Sequence, residues 1–275
     1  MVSIAMQVVT AAFVTGKKVL LRYDIDVVLS DVRDQKSEVR IKEDFKLKAG
    51  LPTLKLCLEN ASKVIIIGHL GRPEGKVVPE FSVEPIRQWF SKQGYSGDLG
   101  SGKLKILENL RFDPREEAAD LGFAKELAKL GEVYVNESFS AYHPAVSTTV
   151  LPTLLPHAAG LRFAEEVRML REVRDNPKKP FVAIMGGAKV ADKLPVIKAL
   201  AEQADVVLVG GKLASDLILS STIVESNVVV GELNEVGTDI TSDTVEAWKG
   251  WIFKAALIVW NGPLGRIEEN TWKVS

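Results

Sequence analysis

The chain has 275 residues, 46% of them hydrophobic and 26% charged, which are proportions typical of globular rather than disordered proteins. The 35 basic and 36 acidic residues give a formal charge of −1, which excludes a broadly basic nucleic-acid surface and confines any anion site to a local cluster. The single cysteine, Cys57, forms no internal disulfide, and no apolar run approaches the roughly 18 residues of a membrane span. At about 150 residues per domain, the length predicts two domains.

Short runs rich in β-branched residues recur along the chain, and their length is typical of buried strands. They lie at Val19–Arg22, Val27–Leu29, Val64–Ile67, Leu104–Leu107, Val133–Val135, Phe181–Met185, Val206–Val209, Val228–Val230 and Leu257–Trp260. Helical patterns separate several of them, at Leu51–Asn60, Asp120–Leu130 with Gly131 as its expected cap, and Lys193–Gln203. Strands that alternate with helices predict parallel sheets joined by right-handed crossovers.

A further helical pattern, Ala159–Asn176, ends just before Pro177. We expect it to join two domains, and one more crossover helix is the alternative. The predicted fold is α/β, with two doubly wound, Rossmann-like parallel sheets. Its expected parts are an N-terminal domain over residues 1–162, a connecting helix over 163–178 and a C-terminal domain over 179–275. Because Met1–Val14 has no basic stretch, we expect it to begin the first domain rather than to serve as a signal peptide.

Polar side chains follow four predicted strands of the first half, where ligands of open parallel sheets bind. They are Arg22, Asp24 and Asp26 after the first strand, His69 and Arg72 after the Val64–Ile67 strand, Arg111 after the next, and His143 after the fourth. Arginine forks match carboxylate and phosphate geometry, so the set predicts a site for a small polyanion. The aspartates would hold the arginines or accept substrate hydroxyls. Taken singly, each of these residues fits a surface ion pair or a satisfied polar side chain better than a ligand contact, and it is the recurrence at successive strand ends that favours a site.

The second half carries glycines where its strands end. Gly186 and Gly187 follow one predicted strand, Gly210 and Gly211 follow the next, and Asn261 precedes a further glycine. Glycines let the backbone approach a phosphate, and the N-terminus of a following helix supplies N–H groups and partial positive charge. Lys189 and Lys193 are four residues apart and would share a helix face. Neither the dinucleotide fingerprint nor the Walker A pattern is present, and tight packing is the alternative role for the glycines.

Together these motifs resemble phosphoglycerate kinase. The segments that carry the resemblance are KKVLLRYDIDV (17–27), AGLPTLKLCLENASKVIIIGHLGRPEGK (49–76), ILENLRFDPREE (106–117), EVYVNESF (132–139), MGGAKVADKLPVI (185–197), DVVLVGG (205–211) and IVWNGPLG (258–265). They occur in the family's order and cover most of the chain. GHLGRP, LENLRF, GGAKVADK and VWNGP are each distinctive.

The resemblance implies an enzyme that transfers a phosphoryl group between ATP and 3-phosphoglycerate, giving ADP and 1,3-bisphosphoglycerate, by hinge closure of two domains. It implies that the N-terminal domain binds the glycerate through Arg22, Asp24, Asp26, Lys46, His69, Arg72, Arg111 and His143. It implies that the C-terminal domain binds ATP or ADP with Mg²⁺ through Gly186, Gly187, Lys193, Gly210, Gly211, Asn261 and Glu268. Lys189 would be the catalytic lysine that steadies the phosphoryl group. A cytoplasmic monomer that binds neither nucleic acid nor membrane is expected.

The chain departs from the family pattern at several positions. The arginine that usually follows the histidine at His143 is absent, and Pro144 stands there. Lys46 replaces a substrate-binding arginine, and Asp26 a more usual asparagine. The sequence ends at Ser275 without a counterpart of the GGGD-type loop whose aspartate binds Mg²⁺, so no metal ligand is expected here and the second domain is expected to be incomplete. The missing arginine and loop leave a second hypothesis, a non-catalytic relic that binds glycerate or nucleotide.

Overall fold

The computed structural model describes residues 6–30, 41–141, 143–187, 190–219, 225–237 and 239–265. The chain divides into two compact units, Met1–Arg168 and Met169–Ser275, and each unit has its own parallel sheet. Within these ranges, no helix has both the length and the apolar character needed to cross a membrane.

The first unit contains a five-stranded sheet with the order β3-β2-β1-β4-β5 and parallel pairing throughout. Its strands are β1 (Lys18–Arg22), β2 (Lys63–Ile67), β3 (Leu104–Ile106), β4 (Val133–Asn136) and β5 (His157–Ala159). Its helices are α1 (Ala11–Val14), α2 (Phe45–Ala49), α3 (Leu51–Asn60), α4 (Glu84–Phe90), α5 (Ser96–Ser101) and α6 (Leu121–Ala128), and α7 (Leu161–Asp175) runs across the unit boundary. Short 3₁₀ turns lie at Pro79–Phe81, Leu110–Phe112 and Leu151–Thr153, and π-helical turns at Ser91–Tyr95 and Val146–Val150.

The strand order of this sheet reverses between β1 and β4. The chain adds β2 and β3 on one side of β1, then crosses to add β4 and β5 on the other. The register places Arg22, the last residue of β1, between Ile67 of β2 and Asn136 of β4. Ligands of open parallel sheets bind in the crevice at such a reversal, so the carboxyl ends of β1 and β4 mark the expected site.

The central strand β1 is buried on both faces because helices cover both sides of the sheet. Leu21 packs into a cluster with Leu54 of α3, whereas Leu20 packs on the opposite face with Phe123 of α6. Each fully buried leucine contributes about 1.5–3 kcal/mol relative to exposure, which explains the continuous apolar run. Asp120 begins α6 by accepting a hydrogen bond from the Phe123 N–H at 2.7 Å.

The second unit contains a four-stranded parallel sheet with the order β8-β7-β6-β9. Its strands are β6 (Phe181–Met185), β7 (Val206–Val209), β8 (Val228–Val230) and β9 (Leu257–Asn261), and its helices are α8 (Val190–Ala201), α9 (Gly211–Leu219) and α10 (Ser242–Ile252). The order reverses between β6 and β9, so this sheet also has a switch point. Thr241 caps α10 by accepting from the Thr244 N–H at 3.2 Å.

The predicted α/β class with two parallel sheets is confirmed, and most predicted elements lie within a few residues of those observed. The strand predicted at Val27–Leu29 is wrong. Both edges of β1 are occupied by β2 and β4, and the segment instead makes one isolated antiparallel bridge, from Leu29 to Ile41. The short strand β5 was not predicted, because the sequence of its three residues (His-Ala-Ala) is not β-rich.

The expected cap at Gly131 is also wrong. Helix α6 ends at Ala128, and Lys129 is its capping residue. A Cβ at Gly131 would lie 2.6 Å from the Leu20 Cγ, so the glycine allows close packing against β1. The helix predicted at Ala159–Asn176 is found as α7, and the boundary between the two units falls inside it.

Candidate functional site

The basic residues predicted in the first half line one cavity of about 650 Å³ at the carboxyl edge of the first sheet. Its lining includes Arg22, Asp26, Lys46, His69, Arg72, Arg111 and His143, together with Glu116, Glu117, Ser140 and Pro144. Asp24 lines a second, smaller cavity that shares Lys46 and Ser140 with the first. It accepts a hydrogen bond from the Ser140 hydroxyl at 2.6 Å and lies 3.8 Å from the Lys46 ammonium. The structure therefore brings all eight predicted substrate-site residues of this unit to one place.

A buried asparagine ties together two of the loops that carry these residues. Asn109 follows β3, and its side-chain oxygen accepts from the backbone N–H groups of Leu70 and Arg111. Its amide nitrogen donates to the carbonyls of Leu70 and Phe81. These bonds fix the loop after β2, which bears His69 and Arg72, against the turn that bears Arg111. Asn109 stands in the LENLRF motif, but the sequence analysis did not assign it a role.

Arg22 is a buried charge, 1% exposed, with hydrogen bonds from all three of its nitrogens. Its Nη1 donates to the Tyr23 carbonyl at 2.7 Å, its Nε to the Ser147 hydroxyl at 3.0 Å, and its Nη2 to His69 Nδ1 at 2.6 Å. Burial lowers the pKa of the Arg22 guanidinium, which nonetheless stays protonated as arginine does in proteins. A fixed positive charge thus stands at the reversal of the sheet.

His69 is neutral at physiological pH. Burial, reinforced by the positive charges of Arg22 and Arg111, lowers its pKa to about 3. Its Nε2 lies 3.7 Å from Asp26 Oδ2. His69 therefore offers a hydrogen bond to a ligand rather than a charge, and the permanent cations of the cavity are its arginines and its lysine.

Two of the remaining cations, Arg111 and Lys46, are held by groups on other segments of the chain. Arg111 donates to the Gly71 carbonyl at 2.9 Å, and its Nε lies 3.1 Å from Glu117 Oε1. Lys46, on α2, donates to the Asp26 carbonyl at 2.8 Å. Arg72 is exposed on the cavity rim.

The cavity has two acidic members that the sequence analysis did not single out. Glu116 is buried and accepts from the Ser147 hydroxyl at 2.5 Å, and Glu117 pairs with Arg111. Burial raises the pKa of Glu116. Both stand in the acidic run of DPREE, which by itself is typical of a solvated turn, so the sequence offered no signal to separate them. Pro144, where the family pattern has arginine, lines the cavity and brings no charge.

The second switch point collects residues predicted for nucleotide binding. The Gly186 N–H donates to the Asn261 carbonyl and the Gly187 N–H to the Pro263 carbonyl, each at 2.9 Å. Lys193 Nζ donates to the side-chain oxygen of Asn261. A Cβ at Gly186 would lie 2.2 Å from the Pro263 carbonyl oxygen, so only glycine allows the two loops to pass this closely.

The other glycine pair opens helix α9. Gly210 N–H donates to the Met185 carbonyl at 2.9 Å, and Gly211, at φ +64°, begins the helix. The N–H groups of Gly186, Gly187 and Gly210 are thus bonded within the protein. A Cβ at Gly210 would lie 2.8 Å from the Leu264 Cδ2, so this glycine also allows close packing, whereas a Cβ at Gly187 would meet nothing closer than 4.0 Å. In the first turn of α9, the Leu213 N–H donates to the Gly187 carbonyl at 3.0 Å. Lys189 and Glu268, predicted from the family pattern, lie outside the described residues.

Comparison with known proteins decides the family. The family model for phosphoglycerate kinase matches residues 9–230 of this chain. This chain belongs to the phosphoglycerate kinase family. Proteins named phosphoglycerate kinase from Chlorobaculum tepidum and Chlorobium phaeovibrioides are 33% and 34% identical to it, over 92% and 93% of this chain and 79% of each relative.

Solved structures agree. Phosphoglycerate kinase from Coxiella burnetii matches with a TM-score of 0.75 at 25% identity, covering 94% of this chain and 80% of that one. The enzyme from Pyrococcus horikoshii, at 23% identity and a TM-score of 0.76, supports the fold. Phosphoglycerate kinases are ATP-dependent kinases of glycolysis that transfer a phosphoryl group between ATP and 3-phosphoglycerate. The family assignment supports this reaction here, and the non-catalytic alternative is not favoured.

Proposed function

We propose that this phosphoglycerate kinase binds 3-phosphoglycerate in the cavity at the first switch point and the adenine nucleotide at the second. The observation that carries the proposal is that the candidate residues gather at the reversal of strand order in each sheet. Phosphoryl transfer asks a protein mainly to position two anions and to stabilise charge on the transferring group. One basic cavity and one edge with two helix N-termini match those two demands.

In the first site, Arg72 and Arg111 bind the carboxylate and phosphate of the glycerate through their planar forks. When the substrate binds, the ion pair between Arg111 and Glu117 breaks and Arg111 pairs with the substrate anion instead. His69, which is neutral, donates a hydrogen bond, and Asp24 and Asp26 orient Lys46 and accept from the substrate hydroxyl. Arg22 orients His69 through the hydrogen bond to its Nδ1 and contributes a fixed positive charge.

In the second site, Lys193 and the N-termini of α8 and α9 bind nucleotide phosphates. Lys189 steadies the transferring phosphoryl group, as the family resemblance implies. No group of three or more histidine, cysteine, aspartate or glutamate side chains within the described ranges fits a metal ion. Mg²⁺ would accompany the nucleotide and bind mainly through its phosphates. We further propose a cytoplasmic location, which the single cysteine supports.

The experiment measures turnover and both binding events separately. We expect a coupled assay with ATP, Mg²⁺ and 3-phosphoglycerate to show turnover above background. Calorimetry should show that Arg72→Ala weakens 3-phosphoglycerate binding and leaves ADP binding unchanged. Lys193→Ala should weaken ADP binding and leave 3-phosphoglycerate binding unchanged. Lys198→Ala, an exposed lysine on α8, is the matched control. Binding of either ligand without turnover would establish the non-catalytic alternative, and binding of neither would refute both functions.

A further inference from the structure

A chain of hydrogen bonds runs through the wall of the glycerate cavity and ends at His69. Glu116 Oε1 accepts from the Ser147 hydroxyl at 2.5 Å, and the same hydroxyl oxygen accepts from Arg22 Nε at 3.0 Å. Arg22 Nη2 then meets His69 Nδ1 at 2.6 Å. Four residues from four separate segments of the chain thus form one continuous path from a buried carboxylate to a residue that lines the cavity.

The path joins two buried charges of opposite sign. Arg22 is 1% exposed and Glu116 is 2% exposed, and the Ser147 hydroxyl between them is fully buried. A buried charge is costly unless it is paired and hydrogen-bonded. Both oxygens of Glu116 also accept from the Ser147 N–H, at 3.3 and 3.2 Å, and Tyr134 donates to the Ser147 carbonyl at 2.6 Å. Ser147 is therefore fixed from three sides, and with it the position of Arg22 Nε.

This path determines which nitrogen of His69 carries the proton. A guanidinium donates hydrogen bonds and accepts none, so Nδ1 must be the accepting, unprotonated nitrogen. The neutral imidazole then carries its proton on Nε2, the nitrogen that lies 3.7 Å from Asp26 Oδ2, a second member of the cavity lining. His69 is consequently set to donate a hydrogen bond into the cavity.

We propose that Glu116 and Ser147 are positioning residues of the glycerate site: they hold Arg22 so that it donates to His69 Nδ1, and His69 in turn presents Nε2–H to an oxygen of the substrate anion. The identity of the substrate rests on the proposed function. The hydrogen-bond path and the imidazole proton do not.

A purely structural role for Glu116 is the competing explanation. Its backbone carbonyl accepts from the Val146 N–H at 2.9 Å, so Glu116 also anchors the turn Val146–Val150. The position of the imidazole proton of His69 distinguishes the two roles. Loss of an anchor alone would change stability and leave the imidazole proton on Nε2, whereas loss of positioning would release Nδ1.

The test uses two variants that act on different parts of the path. Glu116→Gln keeps the volume and an accepting oxygen but removes the charge, and Ser147→Ala keeps both charges but removes the hydroxyl. Glu126→Gln is the matched control, because Glu126 is exposed and pairs with Arg115. Circular dichroism verifies folding, calorimetry gives the Kd for 3-phosphoglycerate, and long-range ¹H–¹⁵N spectra of the imidazoles, assigned with His69→Asn, report the proton position without substrate.

We expect both variants to raise the Kd about tenfold or more, the range for loss of a hydrogen bond to a charged group. Their His69 spectra should show mixed tautomers, while the wild-type protein and Glu126→Gln show the Nε2–H form alone. A Kd within twofold of wild type would overturn the proposal, and so would a weaker Kd with an unchanged His69 spectrum. If the wild-type protein binds no 3-phosphoglycerate, the proposed substrate site is refuted, and the imidazole spectra alone decide whether the path holds His69. If one of the two variants fails to fold, the Kd and the His69 spectrum of the other variant test the proposal.

Discussion

The buried carboxylate of Glu137 makes the stability of the first unit depend on pH. Glu137 follows β4 and is 3% exposed, and its Oε1 accepts from the Arg162 N–H in the first turn of α7 at 3.1 Å. Its Oε2 has no hydrogen-bond partner among the described residues, and it packs so closely on Gly160 that a Cβ there would lie within 1.7 Å. Burial raises the pKa of Glu137 from 4.5 to about 7, and it outweighs the hydrogen bonds from the Thr53 side chain and from the first backbone N–H groups of α7, which favour the ionised carboxylate.

The sign follows from proton uptake. Between pH 4.5 and 7 the folded protein holds this proton more tightly than the unfolded chain does, so stability is full below pH 4.5 and falls as pH rises through 7. The interval from 4.5 to about 7, at about 1.36 kcal/mol per pKa unit, corresponds to about 3 kcal/mol. Glu137→Gln has nearly the same shape, keeps an acceptor for the Arg162 N–H and does not ionise. We expect the free energy of unfolding of this variant to be higher than that of the wild-type protein, by under ~1 kcal/mol at pH 5 and by about 3 kcal/mol at pH 8.

Urea unfolding at pH 5 and pH 8 measures this gap. Trp89 is the one tryptophan of the sequence before residue 169, so its ¹⁹F signal in 5-fluorotryptophan-labelled protein reports the first unit separately. Glu59→Gln, at a side chain 60% exposed, is the matched control and should follow the wild-type pH dependence. Parallel loss of stability in Glu137→Gln and wild type between pH 5 and pH 8 would show that Glu137 is not the titrating group.

Three further substitutions address the two sites. Lys189→Ala should abolish phosphoryl transfer and leave the circular dichroism spectrum unchanged. Glu117→Gln removes the carboxylate that lies 3.1 Å from Arg111 Nε, and we expect the Kd for 3-phosphoglycerate to fall about two- to fivefold by calorimetry, as fits a partly exposed ion pair. Gly186→Ala places a Cβ 2.2 Å from the Pro263 carbonyl oxygen, and we expect thermal unfolding of the second unit at least 5 °C lower, together with loss of ADP binding.

Each of these three predictions has a control variant or a result that would contradict it. A large loss of stability in Lys189→Ala would mark that lysine as structural. An unchanged or higher Kd in Glu117→Gln would show that Glu117 does not compete with the substrate. Gly250→Ala, in α10 where a Cβ meets nothing within 4 Å, should stabilise the protein by about 0.5–1 kcal/mol. Equal effects at Gly186 and Gly250 would contradict the argument from close passage of the loops.

The sheets and the basic residues of the first cavity were predictable because local signals determine them. Buried parallel strands are short apolar runs, and polar residues just beyond those runs face the crevice, so Arg22, His69 and Arg111 could be assigned from position alone. Their spacing along the chain did not matter, because parallel pairing brings the carboxyl ends of the strands to one edge.

Contacts that depend on tertiary structure could not be predicted in this way. Glu116 and Ser147 are 31 residues apart and meet through the turn Val146–Val150, whose π-helical form has no signal in the sequence. Asn109 joins two loops through backbone groups, which every sequence possesses. The error at Val27–Leu29 has the same origin, because strand propensity says nothing about whether a neighbouring position in the sheet is vacant.

The order of strands in the first sheet also has a consequence for synthesis on the ribosome. The central strand β1 is synthesised first, and its partner β4 follows more than a hundred residues later. The hydrogen bond from the Val9 N–H to the Ala159 carbonyl likewise forms only after Ala159 has been synthesised. At roughly 10 residues per second, β1 therefore spends on the order of 10 s without one of its neighbours. During translation the nascent chain therefore exposes one edge of an apolar strand that the finished enzyme pairs on both sides.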